Sequence, residues 1–469
     1  MLYDTYWRES KNASEDNHLS ANKELRQMRN IFSRRAQPIL SRPSPIHKLN
    51  ALARKLEAEG KPVIHLQIGD VKCPKPLQVT EEDIRIQVHD YPEDVGDLIL
   101  ERINFERTYG KRIDRPYPPE MIKRCVCAAE KKPSSTYAGM SGVPELKGLI
   151  AEYLNESRFN GCVIDPAGVI PTAGAAGAMS SALLTFTDRS DRVILHGPTY
   201  SAFWEQVVLA GCRPVDVPLE EEEEWLLDPE KVEEAATKYK PRLMIICSPN
   251  NPTGSVLDRN CLEELAGVAE RHDMLVLSDE TYDRTIYDGL EHESIASIIP
   301  SRTLIIGSFS KAYAMTGERL GYIAGESELT IPVSKIQHKL YLYPLQSKQS
   351  ASVVIFKDPK TDLWLDERLK ELTRRRDVLI EGLAKIPSIT CVKPKGAIYV
   401  FPNISEIFPS SDEFAYRLLN EVFVQVAPGI GFGPTGEGHV RISFGPVGVR
   451  GLEEAIYRID KFAERHYRV

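Results

Sequence analysis

The sequence predicts an α/β protein, on two observations: continuous apolar strands alternate with helical patterns, and polar residues recur just past the strand ends. Segments 192–196, 242–247, 274–278 and 304–306 are almost wholly apolar, as strands covered on both faces are. Helical patterns at 175–186, Ser201–Leu209 and Arg259–Arg271 fall between and around them, an alternation that calls for βαβ units and a mostly parallel sheet. Upstream, Ser44-Pro45 opens a helix that Gly60 stops, 63–68 reads as a strand ending at Gly69-Asp70, and 144–156 reads as a helix. Near Thr330 the rhythm changes. A long charged helix at about 365–383 and short strands at 396–400 and 439–443 suggest a second, smaller α+β domain. The charged segment near 80–115 fits no element and reads either as a lid or dimer-edge element or as a solvent-exposed embellishment.

Length and composition narrow the class. A chain of 469 residues is long enough for two domains or one large elaborated one. A net charge of -8 with no basic stripe argues against a nucleic-acid partner. No apolar run approaches membrane-spanning length, and residues 1–30 lack the apolar core of a secretory signal, so a cytoplasmic location is expected. Residues 1–31 read as a polar tail or an arm that packs on a partner subunit. The eight cysteines are scattered, and Cys125 and Cys127 have no second pair at metal-ligand spacing, so no metal site is expected. The acidic run 220–224 reads as a solvated loop. Gly431-Phe-Gly433-Pro-Thr-Gly436 satisfies a dinucleotide-binding pattern, but a strand follows it where a helix is required, so it reads as a loop.

Ligands in open α/β sheets bind beyond the carboxyl ends of the strands. Strand 192–196 runs into Tyr200, 242–247 into Asn251, 274–278 into Asp279 and Tyr282, and 304–306 into Ser308, Ser310 and Lys311. Each residue alone has a plainer reading: a surface tyrosine, a turn, a helix cap, a solvated lysine. At four successive strand ends they form one rim. A lysine past a buried strand, with hydroxyls beside it and Arg319 one loop later, suits an amine nucleophile next to a bound phosphate.

Seven motifs in order extend this pattern. They are Tyr137-Ala-Gly-Met-Ser-Gly142, Thr172-Ala-Gly174-Ala-Ala-Gly-Ala178, Ser248-Pro-Asn-Asn-Pro-Thr-Gly254, Ser278-Asp-Glu-Thr-Tyr282, Ser308-Phe-Ser-Lys311 with Gly317-Glu-Arg319, Lys395-Gly-Ala-Ile-Tyr399 and Gly438-His-Val-Arg441. With them the chain resembles the class I/II aminotransferases of the fold type I pyridoxal-phosphate-dependent enzymes, from about Ser44 to the C-terminus apart from 80–115. The resemblance implies a large cofactor-binding domain at 73–330 with a mostly parallel seven-stranded sheet between helices. It also implies a smaller α+β domain built from both chain ends, 32–72 and 331–469.

The resemblance also implies roles. Lys311 resembles the lysine that forms the Schiff base with pyridoxal phosphate and then shuttles the substrate proton. Asp279 resembles the partner of the pyridinium nitrogen, Tyr282 and Asn251 the partners of the ring hydroxyl oxygen, and Tyr200 the aromatic on the ring face. Gly174, Ala175 and Ala176 at a helix start, with Ser308, Ser310 and Arg319, resemble the phosphate site. Tyr137 resembles the tyrosine that reaches the neighbouring subunit's phosphate, which implies a homodimer with shared active sites. Arg441 resembles the arginine that clamps the substrate carboxylate, with Gly69 and Asn251 beside it. The implied activity moves an amino group between an L-amino acid and a 2-oxo acid through aldimine and pyridoxamine phosphate intermediates. A carbon–sulfur lyase, an aminocyclopropane carboxylate synthase-like enzyme and a non-catalytic cofactor-binding regulator share most of these motifs and stay open.

Overall fold

The structure is a computed structural model that describes residues 45–71, 139, 141–158, 164–358 and 360–467. Pro45 starts helix α1 (Pro45–Ala58), where its fixed φ and missing amide donor cost nothing. Gly60, at φ +78°, turns the chain toward β1 (Ile64–His65). Helix α2 (Pro144–Arg158) is followed by β2 (Val169–Thr172) and α3 (Gly174–Phe186). Then β3 (Arg192–Gly197), α4 (Ser201–Leu209), β4 (Arg213–Pro218), α5 (Pro229–Tyr239), β5 (Leu243–Cys247), α6 (Arg259–Arg271) and β6 (Leu275–Asp279) alternate. Strand β7 (Thr303–Ser308) runs into the single turn α7 (Phe309–Ala312), and β8 (Gly321–Ala324) follows.

These strands form one seven-stranded sheet in the order β2-β8-β7-β6-β5-β3-β4. β3, β4, β5, β6 and β7 pair in parallel, and only β8 runs against its neighbours. The sequence shows four of the strands at nearly their observed lengths. It hides β2 and β4, which carry Pro171, Pro214 and Pro218, because proline cannot donate within a sheet. Both are edge strands, where that missing donor is tolerated. β8 has only four residues, too few to display a period.

The helices covering the sheet owe their positions to local chemistry. Asp258 caps α6 by accepting the Cys261 amide at 2.9 Å, and Asp228 caps α5 by accepting the Glu230 amide at 2.8 Å. Leu262, Leu265, Ala266 and Ala269 then recur at helical spacing and are buried. Their core holds Val232 and Ala236 of α5 and Met244 and Val276 of the sheet.

The rest of the chain adds α8 (Ser327–Tyr341), α9 (Gln346–Lys357), the long α10 (Lys360–Leu383), β9 (Tyr399–Val400), α11 (Ser411–Val422), β10 (Val424–Gln425), β11 (Ala427–Pro428), β12 (Val440–Ser443) and α12 (Val449–His466). β11-β12-β9 form a three-stranded antiparallel sheet, and β1 pairs in parallel with β10. One core joins Leu49, Leu56 and Leu66 near the N-terminal end with Leu372, Leu379, Phe414, Leu452 and Phe462. Another joins Ala351 of α9 and Trp364 and Leu365 of α10 to α2 and β7, so α10 is buried against both cores. No helix among the described residues is long and apolar enough to cross a membrane.

The helix α6 account predicts two costs of different size. Leu265→Ala should lower unfolding stability by about 2–5 kcal/mol through cavity creation, and Asp258→Ala by about 1 kcal/mol through cap loss. Urea unfolding followed by circular dichroism reads both, and equal costs would contradict it.

Candidate active site

Parallel register sets the site. Cys247 of β5 lies beside Asp279 of β6, which lies beside Ile306 of β7, so β5 and β6 end on one level and β7 continues two residues further to Ser308. Past those ends, the side chains of Asn251, Asp279, Tyr282 and Lys311 gather on one rim, all buried except the half-buried lysine.

Lys311 sits in α7, whose first turn is fixed by Ser308: its hydroxyl accepts the Ser310 amide at 3.1 Å. Its Nζ donates to the Gly69 carbonyl. A Cβ at Gly69 would collide with the Tyr399 hydroxyl, so only glycine lets the backbone pass this close. The Tyr399 hydroxyl is 2.6 Å from that of Tyr282, and the two rings meet edge to face. Burial, together with Tyr399, pushes the Tyr282 phenol well up. Arg368, fully buried in α10, holds the lysine from behind by donating to the Lys311 carbonyl at 2.8 Å and to the Thr285 hydroxyl at 3.1 Å.

Arg441 projects from β12, buried. It donates to the Gln67 carbonyl at 2.6 Å and to Asn251 Oδ1 at 2.9 Å, with Tyr399 and Phe432 on its faces at 4.4 and 4.7 Å. Arg441 and Lys311 thus bond to carbonyls two residues apart on one short segment just past β1. Tyr200, partly exposed, lies edge to face with Phe203, within electrostatic reach of Tyr399, Arg441, Asp279 and Arg319.

A second corner forms at the start of α3. Gly174 adopts φ +71°, and a Cβ there would stand 2.7 Å from Arg319 Nη2, so the guanidinium closes on the helix N-terminus. Arg319 is itself left-handed at φ +53°, held by donation to the Thr316 carbonyl at 3.0 Å. The amides of Gly174, Ala175 and Ala176 lead this thirteen-residue helix, whose preceding Ala173 provides no side-chain cap. Tyr137 lies outside the described residues, as do Cys125, Cys127 and the segment 80–115.

Asp279 tests whether these residues suit pyridoxal phosphate. It is buried and accepts the Thr281 amide at 3.0 Å, and among the described residues no cation pairs with it. Burial pushes its carboxyl up to about 6, against the pull of the Thr281 amide. A buried carboxylate lacking a cation, a lysine amine and an arginine at a helix N-terminus are the donor set that a protonated pyridine, an aldehyde and a phosphate require. The residues fit the cofactor. Tyr399 and Arg368 drew no role from the sequence. Tyr399 stood in a quoted motif, and its strand pairing with Ser443 would have linked it to Arg441. For Arg368 the sequence carries no signal beyond a charge in an otherwise charged helix.

The family model "Aminotransferase class I and II" matches residues 111–459. The aspartate aminotransferase of Pyrococcus horikoshii is 35% identical over 346 residues, 74% of this chain and 88% of that protein. Aromatic-amino-acid aminotransferase 2 of Thermococcus litoralis is 36% identical over 73% of this chain and 88% of its own length. A solved double mutant of Thermus thermophilus aspartate aminotransferase superposes with a TM-score of 0.77 at 29% identity, covering 92% of this chain and 99% of that one. The chain therefore belongs to the class I and II aminotransferases and is a pyridoxal-phosphate-dependent transaminase.

Proposed function

We propose that Lys311 is the catalytic residue of this transaminase and Arg441 its carboxylate clamp. The shared segment at residues 67–69 carries the reading: Lys311 and Arg441 are tied to the Gly69 and Gln67 carbonyls. Bound pyridoxal phosphate supplies an aldehyde for amine exchange and an electron-withdrawing ring. Asp279 holds the proton on the ring nitrogen, since a buried carboxylate favours a paired cation. Asn251 and Tyr282 donate to the ring hydroxyl oxygen, and Tyr200 covers the ring face. Ser308, Ser310, Arg319 and the amides of Gly174, Ala175 and Ala176 bind the phosphate. Lys311 Nζ would carry the proton between the substrate α-carbon and the cofactor carbon C4′, taking it from one and giving it to the other. Arg441, bidentate and planar, orients the α-carboxylate beside Gly69 and Asn251.

The wider assignments are proposals of the same kind. The enzyme is a homodimer whose active sites are shared through Tyr137. Leu340, Leu342 and Leu345, exposed at the end of α8 and just beyond it, support an apolar contact face. Residues 32–72 and 331–469 form the small domain and 73–330 the large one, supported by the core that joins both chain ends. The cytoplasm suits the free thiols of Cys212, Cys247, Cys261 and Cys391. Donors are L-amino acids, tried first with aspartate and the aromatic amino acids for which two relatives are named.

The lysine assignment predicts that Lys311→Ala abolishes the visible absorbance of the cofactor-loaded protein, and an unchanged band would sink it. Mixing loaded enzyme with single amino acids, without oxo acid, should convert cofactor to pyridoxamine phosphate stoichiometrically. Continuous release of pyruvate and ammonia would refute transamination. Sedimentation should give a dimer mass; a monomer removes the shared site.

The raised Asp279 carboxyl predicts a pH dependence. Its folded pKa lies above its unfolded value, so its stabilising contribution is complete below about 4 and lost as pH rises through about 6. Between those limits the cofactor-free protein should lose on the order of 2–3 kcal/mol relative to Asp279→Asn. Urea midpoints at stepped pH measure this, and parallel curves would disprove it.

A further inference from the structure

The acidic run 220–224 forms a built contact with the strands that carry Arg441 and Tyr399. A 3₁₀ turn at Glu221–Glu223 brings Glu221, half-buried, against three polar groups of the small antiparallel sheet's margin. Its carboxylate accepts from Asn403 Nδ2 at 2.9 Å and from His439 Nε2 at 3.1 Å, with the Thr390 hydroxyl at 3.5 Å. Isolated antiparallel bridges join Thr390 to Asn403 and Asn403 to His439, so one carboxylate spans three neighbouring segments. Asn403 and His439 draw the Glu221 carboxyl below its usual range, although burial opposes them.

His439 is fixed on every side. Its other ring nitrogen faces the Glu437 carbonyl at 3.1 Å, its ring stacks on Phe401 at 5.1 Å, and Trp225 meets its edge at 5.0 Å. Its own carbonyl accepts the Gly429 amide at 2.9 Å. The next residue begins β12, and Arg441 follows on the same strand face as His439. Trp225, the residue after the run, is buried and also packs edge-on against Phe401, the residue just past β9. Glu224 adds an ion pair with Lys395 at 2.7 Å, which is solvent-exposed and contributes little.

We propose that Glu221, acting through His439, is a positioning residue for Arg441: it sets where β12 starts and so where the guanidinium meets the substrate carboxylate. The proposal rests on the assignment of Arg441 as the carboxylate clamp. A guanidinium must be placed to a fraction of an ångström for two parallel bonds, and Arg441 already spends two donors on Gln67 and Asn251. A tilt of β12 therefore weakens substrate binding more than it slows proton transfer at Lys311.

Steady-state kinetics on cofactor-loaded Glu221→Ala, Glu221→Gln and Arg441→Lys test it. Glu221→Ala should raise the amino-acid KM about fivefold to twentyfold, roughly the worth of a single hydrogen bond, with kcat within about twofold. Its visible absorbance should match wild type, and its thermal midpoint should fall only modestly, by the loss of the Glu221 contacts themselves. Glu221→Gln, which still accepts from Asn403 and His439, should recover most of the loss. An unchanged KM in Glu221→Ala overturns the proposal, as does a joint fall in kcat and midpoint that glutamine does not restore. Arg441→Lys separates the two assignments. If it raises KM while Glu221→Ala does not, only the positioning role fails; if it leaves KM unchanged, the clamp assignment fails and the positioning role with it.

Discussion

The register of the parallel strands is the constraint on which the rest depends. Because Cys247, Asp279 and Ile306 are level neighbours, β5 and β6 leave the sheet at one height, and β7 leaves it two residues later on the same rim. Strand ends are where a polar side chain can be buried without breaking a ladder, since the backbone there is already turning away. Asp279 uses that position: it ends β6 with its carboxylate inside the protein, where it accepts the Thr281 amide. A carboxylate in that setting costs several kcal/mol when ionised alone, and among the described residues no cation offsets that cost.

The substrate side of the site depends on a second frame, the antiparallel sheet of β9, β11 and β12. Tyr399 and Arg441 come from adjacent strands of it, paired through Ser443 opposite Tyr399. The segment at residues 67–69 joins the two frames. Its carbonyls accept Lys311 from the parallel sheet and Arg441 from the antiparallel one. Lys311 and Arg441, the proposed cofactor and carboxylate residues, thus arise from different sheets and are referenced to one short piece of backbone. Gly69 is needed there because the Tyr399 hydroxyl occupies the place of a side chain.

Much of this was legible in the sequence, and the exceptions have physical causes. The buried strands β3, β5, β6 and β7 stood out because both of their faces are covered, which writes continuous apolar runs. β2 and β4 were hidden by prolines that edge positions permit. Asn251, Asp279, Tyr282, Lys311 and Arg441 were readable because each occupies a local motif whose spacing is set by a strand end. Arg368 was not, since what brings it to the Lys311 carbonyl is the packing of α10, a contact 57 residues distant in sequence. Glu221 was read as solvated for a related reason. Its neighbours Glu220, Glu222, Glu223 and Glu224 are exposed, and only the tertiary approach of Asn403 and His439 singles it out.

The charge arrangement also couples cofactor binding to the fold. Asp279 lacks a cation and Arg441 is a buried guanidinium whose Nε has no partner among the described residues. A pyridinium beside the first and a carboxylate near the second each supply the missing complement. A ligand that binds only the folded state stabilises it by mass action, about 2.7 kcal/mol at a hundredfold excess over Kd. Such coupling is strongest where the protein alone bears an uncompensated group, because ligand then removes a cost as well as adding contacts. Asp279, on the central strand β6 between β5 and β7, lies where that relief is transmitted to the most cooperative part of the sheet. On the proposed assignment of Asp279 to the ring nitrogen, the residue that tunes the cofactor's electrons is thus also the one through which loading firms the protein.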